Sequence, residues 1–351
     1  MRTALRPFRN GEDHRRRLGF LVPLLLAAQA LVACGGSGHS ATPTINFYIY
    51  PDNSGAVQQA ADTCTKSSGG KYVIKYQKLP SSADGQRQQM VRRLAARDTS
   101  MDILGLDVTW APEFAEAGWI KEWTGDNRAQ VEQGTLAGPL ATATYKGKLY
   151  AAPFNSNTQL LWYRSDLVPT PPKTWDEMID MATTLAKQGK PHLIEIQGNQ
   201  YEGITVWFNT LLASAGGSVL TGDGTQPSLG PPAIKALSIM RRLATSPAAD
   251  PSLSVQMEDD NRLAMESGTA AFELNYPFVF PSMKANQPKL FESFKAAPYP
   301  AVSADQPAHV TIGGINIAVS NYTRHPDEAF QAALCIRNRD NQKIGATKGG
   351  T

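Results

Sequence analysis

Strands and helices alternate over the part of the chain that follows an N-terminal leader, and this alternation limits the possible folds more than any other feature. The predicted order is strand, helix, strand, helix, strand, at residues 44–50, 57–66, 72–79, 86–97 and 101–106. The strands are rich in β-branched and aromatic residues, whereas Met90, Val91 and Leu94 recur at helical spacing. Strands joined by helices pair in parallel, because the helix returns the chain to the same end of the sheet. The sequence therefore predicts an α/β fold.

Later segments continue this pattern. Thr174 and Glu177 have the spacing of a capping box, which predicts that a helix begins there and runs to Leu185. Gly118 is expected to end a short helix over 111–117. Further strands are predicted at residues 159–163, 270–274 and 315–319, and further helices at 203–215, 232–243, 261–267 and 327–338.

The length of the chain predicts two lobes. About 300 residues follow the leader, which is more than a single hydrophobic core usually serves. We expect residues 44–150 to form the first part of lobe one, residues 151–298 to form lobe two, and residues 299–351 to return to lobe one.

The leader has the composition of a secretory signal. Residues 1–17 carry six arginines against Glu12 and Asp13, and an apolar run over 18–32 follows at once. This run is shorter than the roughly 20 residues that a membrane-spanning helix needs. We therefore expect residues 1–33 to be a signal peptide.

The end of the apolar run predicts a lipid anchor. Leu31-Val32-Ala33-Cys34 resembles the bacterial lipobox, in which the cysteine becomes the lipidated first residue. A cleaved signal without lipid is the alternative. The Gly/Ser-rich residues 34–43 are expected to form a flexible tether on the extracytoplasmic face of the membrane.

The charge of the mature chain argues against a nucleic-acid partner. The full chain is formally +3, and the leader contributes a net +4, which leaves the mature chain near −1. No basic surface is expected to attract a phosphate backbone.

The two cysteines that remain after the leader are predicted to lie in an oxidising compartment. Cys64 and Cys335 can form a disulfide there, or both can stay as buried free thiols. The sequence leaves both alternatives open.

A lipid-anchored glycosidase is the alternative from a different functional class. Glu258 stands beside Asp259 and Asp260, but a run of acidic residues is more typical of a solvated helix start than of a hydrolytic pair. The chain has no Gly-x-Ser-x-Gly, His-Glu-x-x-His, phosphate loop or Cys-x-x-Cys motif, and its histidines are isolated. We therefore predict no catalysis, no metal and no cofactor. A third hypothesis is a structural adhesin without a saturable small-molecule site.

Five stretches in consistent order resemble the carbohydrate-binding proteins of ABC sugar importers, within the extracellular solute-binding family. They are residues 105–119 (GLDVTWAPEFAEAGW), 171–177 (PPKTWDE), Gln197 with 200–203 (QYEG), 275–278 (NYPF) and 313–315 (GGI). Two positions depart from the trehalose/maltose branch of that family, because Tyr276 and Ile315 stand where the branch usually has tryptophan.

The resemblance implies a periplasmic-binding-protein-like fold, in which a hinge joins two α/β lobes and the ligand lies in the cleft between them. It implies that the ligand is a disaccharide, trehalose above all, and that the partners are an ABC permease and its cytoplasmic ATPase. Members of the family continue well beyond the Gly-Gly stretch, so we expect the chain to be truncated at its C-terminus.

A sugar receptor needs carboxylates and amides for the hydroxyls and aromatic rings for the apolar sugar face. Asp107 and Asp52 follow predicted strands, and ligands of parallel α/β sheets bind beyond the carboxyl ends of strands. The predicted ligand-binding residues are Asp107, Tyr276, Asp52, Glu202, Asn155, Asn157, Phe278, Gly313, Gly314 and Trp207. The alternatives are helix capping for Asp107, an ordinary turn position for Asp52, turn formation for the asparagines, a first-turn carboxylate for Glu202 and a core position for Trp207.

Overall fold

A computed structural model describes residues 42–222 and 224–348. The strands are β1 (Thr44–Ile49), β2 (Val73–Lys78), β3 (Ile103–Asp107), β4 (Thr144–Tyr145), β5 (Lys148–Leu149), β6 (Ala152–Asn157), β7 (Leu160–Arg164), β8 (Leu193–Glu195), β9 (Ala270–Asn275), β10 (Phe294–Ala297) and β11 (Gly313–Val319). The helices are α1 (Ala56–Ser67), α2 (Ala83–Ala95), α3 (Ala111–Glu116), α4 (Gly125–Glu132), α5 (Ala137–Thr142), α6 (Trp175–Lys187), α7 (Glu202–Ser214), α8 (Pro231–Ala244), α9 (Glu258–Ser267), α10 (Val279–Asn286), α11 (Pro288–Phe291), α12 (Pro326–Ile336) and α13 (Arg339–Lys348).

The first sheet has five strands in the order β2-β1-β3-β11-β6. β1 pairs in parallel with both β2 and β3, as the strand–helix alternation predicts. β11 comes from far along the chain and pairs antiparallel with β3 and β6. The sheet is therefore mixed, and the predicted α/β fold is confirmed.

Helices pack on the first sheet because their apolar stripes need cover. Ile45, Phe47 and Ile49 are fully buried under α1, α2 and α12 together with Met90 and Leu94. The structure joins Cys64 of α1 to Cys335 of α12 in a disulfide, with an S–S distance of 2.07 Å. The C-terminal helices thereby lie against the first sheet.

The second sheet has four strands in the order β10-β7-β9-β8, and it has its own core. The predicted capping box is present at the start of α6, where the Thr174 side chain accepts from the Glu177 amide and the Glu177 carboxylate accepts from the Thr174 amide. It places Trp175 in the core, where its ring stacks on that of Trp207 with centroids 5.8 Å apart.

The chain passes between the two sheets through short connections. β6 ends at Asn157 in the first sheet and β7 begins at Leu160 in the second, while the return runs from Ala297 to Gly313. The predicted lobe boundaries at 150 and 298 stay a prediction, since the described residues cluster as one compact unit.

The signal peptide over 1–33, the lipidated Cys34 and nearly all of the tether over 34–43 lie outside the described residues. Within the described ranges, none of the helices has both the length and the apolar composition that a membrane crossing requires.

Candidate functional site

Five of the predicted ligand-binding residues lie side by side at one end of the first sheet. Asp107 ends β3 and pairs with Ile315 of β11. Across β11, Asn157 of β6 pairs with Gly313, and Asn155 pairs with Ile315. The order of the strands therefore brings together Asp107, Asn155, Asn157, Gly313 and Gly314.

A bulge between β6 and β11 explains why Gly314 is a glycine. Its φ is +131°, and a Cβ added there would lie 2.4 Å from the Asn155 carbonyl oxygen. The Ile315 amide donates to Asn155 Oδ1 at 2.8 Å, so the Asn155 side chain stabilises the same bulge. Gly314 and the Asn155 oxygen thus shape the strand end.

Tyr276 reaches this strand end from the second sheet. It follows β9 directly, and its ring Cε1 lies 3.8 Å from the position that a Cβ on Gly313 would occupy. Asn157 Cβ lies 3.4 Å from the same position. Both distances are ordinary van der Waals contacts, so the Tyr276 ring lies next to Gly313 and Asn157 at this strand end.

The charges of three carboxylates act on Tyr276, and we call Asp107, Glu202 and Glu258 the carboxylate cluster. Glu202 begins α7 and Glu258 begins α9, so both come from helix starts beside the second sheet. Burial, followed by the charges of Glu202, Glu258 and Asp107, raises the pKa of Tyr276 well above its ordinary value. The charges of residues beside both sheets therefore act on the Tyr276 hydroxyl.

The Glu202 carboxyl group of this cluster has a raised pKa. Burial raises its pKa to about 8, and the negative charges of Asp107, Glu258 and Asp84 act in the same direction. At neutral pH the Glu202 side chain therefore holds a proton for much of the time, and it can donate as well as accept a hydrogen bond.

Asp107 keeps one carboxylate oxygen available. Its Oδ1 accepts from the Thr109 amide at 2.9 Å and from Thr109 Oγ1 at 2.8 Å. Burial raises its pKa, and the Thr109 hydrogen bonds lower it. Since both bonds fall on Oδ1, Oδ2 can accept from a ligand.

Glu258 is the site residue that the sequence prediction missed. Asp259 and Asp260 are exposed, as expected for a helix start, and Asp260 accepts from the Met257 amide at 2.9 Å. Glu258 is partly buried, which raises its pKa, while the Tyr201 hydroxyl lowers it. Glu258 lies three and seven residues before the buried Asn261 and Met265, so helical periodicity could have placed it on the inner face of α9.

Two predicted ligand-binding residues have structural contacts instead. Asp52 accepts from the Ser54 and Val57 amides at 2.9 and 2.8 Å, so its carboxylate caps the start of α1. Trp207 is only 2% exposed in the second core. Helix capping by Asp52 and the core position of Trp207 give each side chain a structural role, and a ligand-binding role at either position stays a prediction.

Phe278 lies beyond the cluster. It packs, partly buried, against the small apolar group that contains Trp162, Val279 and Phe294. Its ring supports the start of α10. A ligand-binding role for Phe278 stays a prediction.

One cavity lies beside the site, and a larger cavity lies away from it. A cavity of about 190 Å³ between β6 and α13 is lined by Tyr50, Asn155 and Ser156. A larger one of about 690 Å³ is lined mainly by residues 158–173 and 297–310, outside the carboxylate cluster. Within the described part of the chain, no three His, Cys, Asp or Glu side chains are grouped so that they could hold a metal ion.

Comparison with protein families gives one match that covers most of the chain. Residues 51–342 match the model of the bacterial extracellular solute-binding proteins. A probable ABC transporter-binding protein of Deinococcus radiodurans is 25% identical over 345 residues, covering 94% of this chain and 78% of the relative.

Solved structures share the fold. The maltose-bound MalE3 of T. maritima superposes with a TM-score of 0.80 at 24% identity, over 88% of this chain and 80% of that one. The GacH receptor of Streptomyces glaucescens, solved unliganded and with acarbose, gives 0.77 at 22% identity, over 88% and 79%. The periplasmic-binding-protein-like fold expected from the sequence is therefore confirmed.

Proposed function

The chain belongs to the bacterial extracellular solute-binding proteins, and from this premise we propose that it captures a disaccharide, preferentially trehalose, for an ABC importer. The permease would receive the sugar and the cytoplasmic ATPase would drive its uptake. Capture would involve no chemical change of the sugar.

The observation that carries this proposal is the strand end of the first sheet, where Asp107 and Asn157 lie in register with β11 and the Tyr276 ring approaches from the second sheet. The charges of Glu202 and Glu258 act on the same ring. A sugar presents hydroxyl groups around an apolar face; an ionised carboxylate accepts charge-assisted hydrogen bonds from hydroxyls, and a protonated carboxyl group such as that of Glu202 can donate as well as accept. The Tyr276 ring supplies an apolar surface with a polar tip. Because these groups come from both sheets, a bound sugar would contact both and favour their closed arrangement.

Two kinds of likeness support a saccharide as the ligand. Two of the solved relatives, MalE3 and GacH, were solved with maltose and with acarbose bound. The motif at 200–203, together with the lipobox, is similar to that of the mycobacterial trehalose-binding lipoprotein LpqY. Trehalose as the preferred sugar rests on this second likeness.

The proposed location is the extracytoplasmic face of the cell membrane. The signal peptide would direct export and be removed, and the lipid on Cys34 with the Gly/Ser-rich tether would hold the sugar-binding part close to the permease. The family itself consists of extracellular binding proteins. Globomycin-sensitive processing of the precursor in a bacterial host would support the anchor, and secretion of a lipid-free form would contradict it.

Thermal unfolding of the purified mature protein tests the proposed ligand class. We expect the melting temperature to rise with trehalose, less with maltose and sucrose, and least with glucose, because ligand binding to the native state stabilises it by mass action. Each sample is then assayed for released glucose. A panel in which no saccharide raises the melting temperature, or in which trehalose is hydrolysed, contradicts the proposal.

A further inference from the structure

A buried asparagine is hydrogen-bonded to the backbone of two residues of the candidate site. Asn275 is the last residue of β9 and is 0% exposed. Its Oδ1 accepts from the Tyr276 amide at 2.9 Å. Its Nδ2 donates to the Glu258 carbonyl oxygen at 2.9 Å. One carboxamide therefore holds both the segment that bears the Tyr276 ring and the start of the helix that bears the Glu258 carboxylate.

The Asn275 carboxamide is itself fixed by the second sheet. Nδ2 also donates to Glu273 Oε1 at 2.7 Å, and Glu273 is 0% exposed on the same strand. The indole nitrogen of Trp162 donates to the Asn275 carbonyl oxygen at 2.8 Å. Both amide protons and one lone pair of the side chain are thus in use, which leaves a single orientation.

We propose that Asn275 is a positioning residue that holds the Tyr276 ring and the Glu258 carboxylate at the relative positions that the sugar requires. This inference rests on the proposed function. Asn275 does not touch the ligand in this account, and it acts through the two groups that do. A buried side chain with two donors and one acceptor suits this role, because leucine or alanine supplies neither and aspartate supplies only acceptors while it is ionised.

The chain offers a matched control in Asn261. It is also 0% exposed, in the same helix as Glu258. Its Oδ1 accepts from Gln197 Nε2 at 2.8 Å, and its Nδ2 donates to the Ile196 carbonyl oxygen at 3.2 Å. These bonds connect α9 to the region that follows β8, and none goes to Tyr276 or to the Glu258 backbone.

Titration calorimetry with the mature protein separates positioning from general stability. The probe is whichever of trehalose, maltose, sucrose and glucose binds the wild-type protein most tightly. We expect Asn275→Ala to weaken binding at least about tenfold, and Asn261→Ala less than about threefold. In a Glu258→Gln background, the additional loss from Asn275→Ala should be smaller than in the wild-type background, because the part that acts through the Glu258 carboxylate is already lost and only the part that acts through Tyr276 remains. A purely structural role would leave that loss unchanged between the two backgrounds.

The conservative variant Asn275→Asp keeps an acceptor for the Tyr276 amide, so we expect it to recover part of the affinity that alanine loses. It also replaces Asn275→Ala, with Asn261→Asp as control, if the alanine variant does not fold. Equal losses at 275 and 261, or equal effects of Asn275→Ala in both backgrounds, would overturn this inference alone. Failure of the wild-type protein to bind any of the four sugars would overturn the proposed function together with it.

Discussion

Asp107 and Asp52 show how two aspartates in similar sequence positions acquire different roles. Each follows a parallel strand of the first sheet, where ligands of such sheets bind. The Asp52 carboxylate accepts from the Val57 amide and so caps α1, whereas the Asp107 carboxylate bonds only to Thr109 two residues on. The strand-end rule predicts the location, but the local path of the chain decides whether a carboxylate remains available.

This difference gives the first prediction. Asp107→Ala should weaken sugar binding by about 10- to 100-fold, since a hydrogen bond to a charged group is worth roughly 1.5–3 kcal/mol. Asp52→Ala serves as the control and should cost about 1 kcal/mol of stability through loss of a helix cap, with little change in affinity. Calorimetry measures the affinity and urea unfolding measures the stability. An Asp107→Ala variant with wild-type affinity would remove Asp107 from the site.

The bulge between β6 and β11 gives a prediction at the scale of the element. Gly314→Ala would place a Cβ 2.4 Å from the Asn155 carbonyl oxygen at a φ of +131°. We expect a loss of more than about 1 kcal/mol in the free energy of unfolding, and weaker sugar binding because the strand end beside Asp107 shifts. Gly222→Ala is the control, since a Cβ there meets nothing within 4 Å. Equal stability of the two variants in urea would show that the bulge tolerates a side chain.

Two buried glutamates on neighbouring strands predict how stability depends on pH. Glu195 of β8 pairs in register with Glu273 of β9, and both are 0% exposed. Burial raises the pKa of each to about 8, from an ordinary value of 4.5. Between these pH values the native state holds protons that the unfolded chain releases, so the free energy of unfolding falls as the pH rises from 4.5 to 8.

Glutamine variants test this pH dependence. Glu195→Gln and Glu273→Gln should each flatten the curve of unfolding free energy against pH between 5 and 8, since one pKa unit corresponds to about 1.4 kcal/mol. Glu292 is exposed, so Glu292→Gln should leave the slope as it is in the wild-type protein. Chemical unfolding at a series of pH values gives the slopes. Wild-type slopes in both variants would mean that the two buried carboxyl groups do not cause the pH dependence of the unfolding free energy.

Sequence patterns predicted the elements that depend on local signals. The alternation of β1, α1, β2, α2 and β3 follows from hydrophobic periodicity, and the start of α6 follows from its capping box. The insertion of β11 between β3 and β6 was beyond such patterns, because it depends on contacts between residues 152–157, 103–107 and 313–319. Helices α4 and α5 are short and lack a continuous apolar stripe, so periodicity gave no signal for them.

The candidate site was predictable only in part for the same reason. Asp107, Glu202 and Tyr276 could be selected because each stands at the end of a strand or the start of a helix. The stacking of Trp207 on Trp175 depends on how helices pack across the second sheet. The same packing brings the charge of Glu258 to act on Tyr276. Residue type and spacing do not contain that information.

At the scale of the whole molecule, the account predicts a change of shape. The sheets are linked by the segments between Asn157 and Leu160 and between Ala297 and Gly313. A sugar that contacts Asp107 on one side and Glu202 on the other would favour the arrangement in which the sheets are closest. Small-angle X-ray scattering should therefore show a smaller radius of gyration with saturating trehalose than without it. Glucose, which is too small to make both sets of contacts, is the control. An unchanged radius in the presence of bound disaccharide would rule out closure.

The central claim is that the chain holds one disaccharide molecule without altering it, and equilibrium dialysis against trehalose tests this most directly. The account predicts saturation at about one sugar per chain, with intact trehalose recovered by chromatography after the protein is denatured. Absence of saturable uptake, or recovery of glucose in place of trehalose, would contradict it.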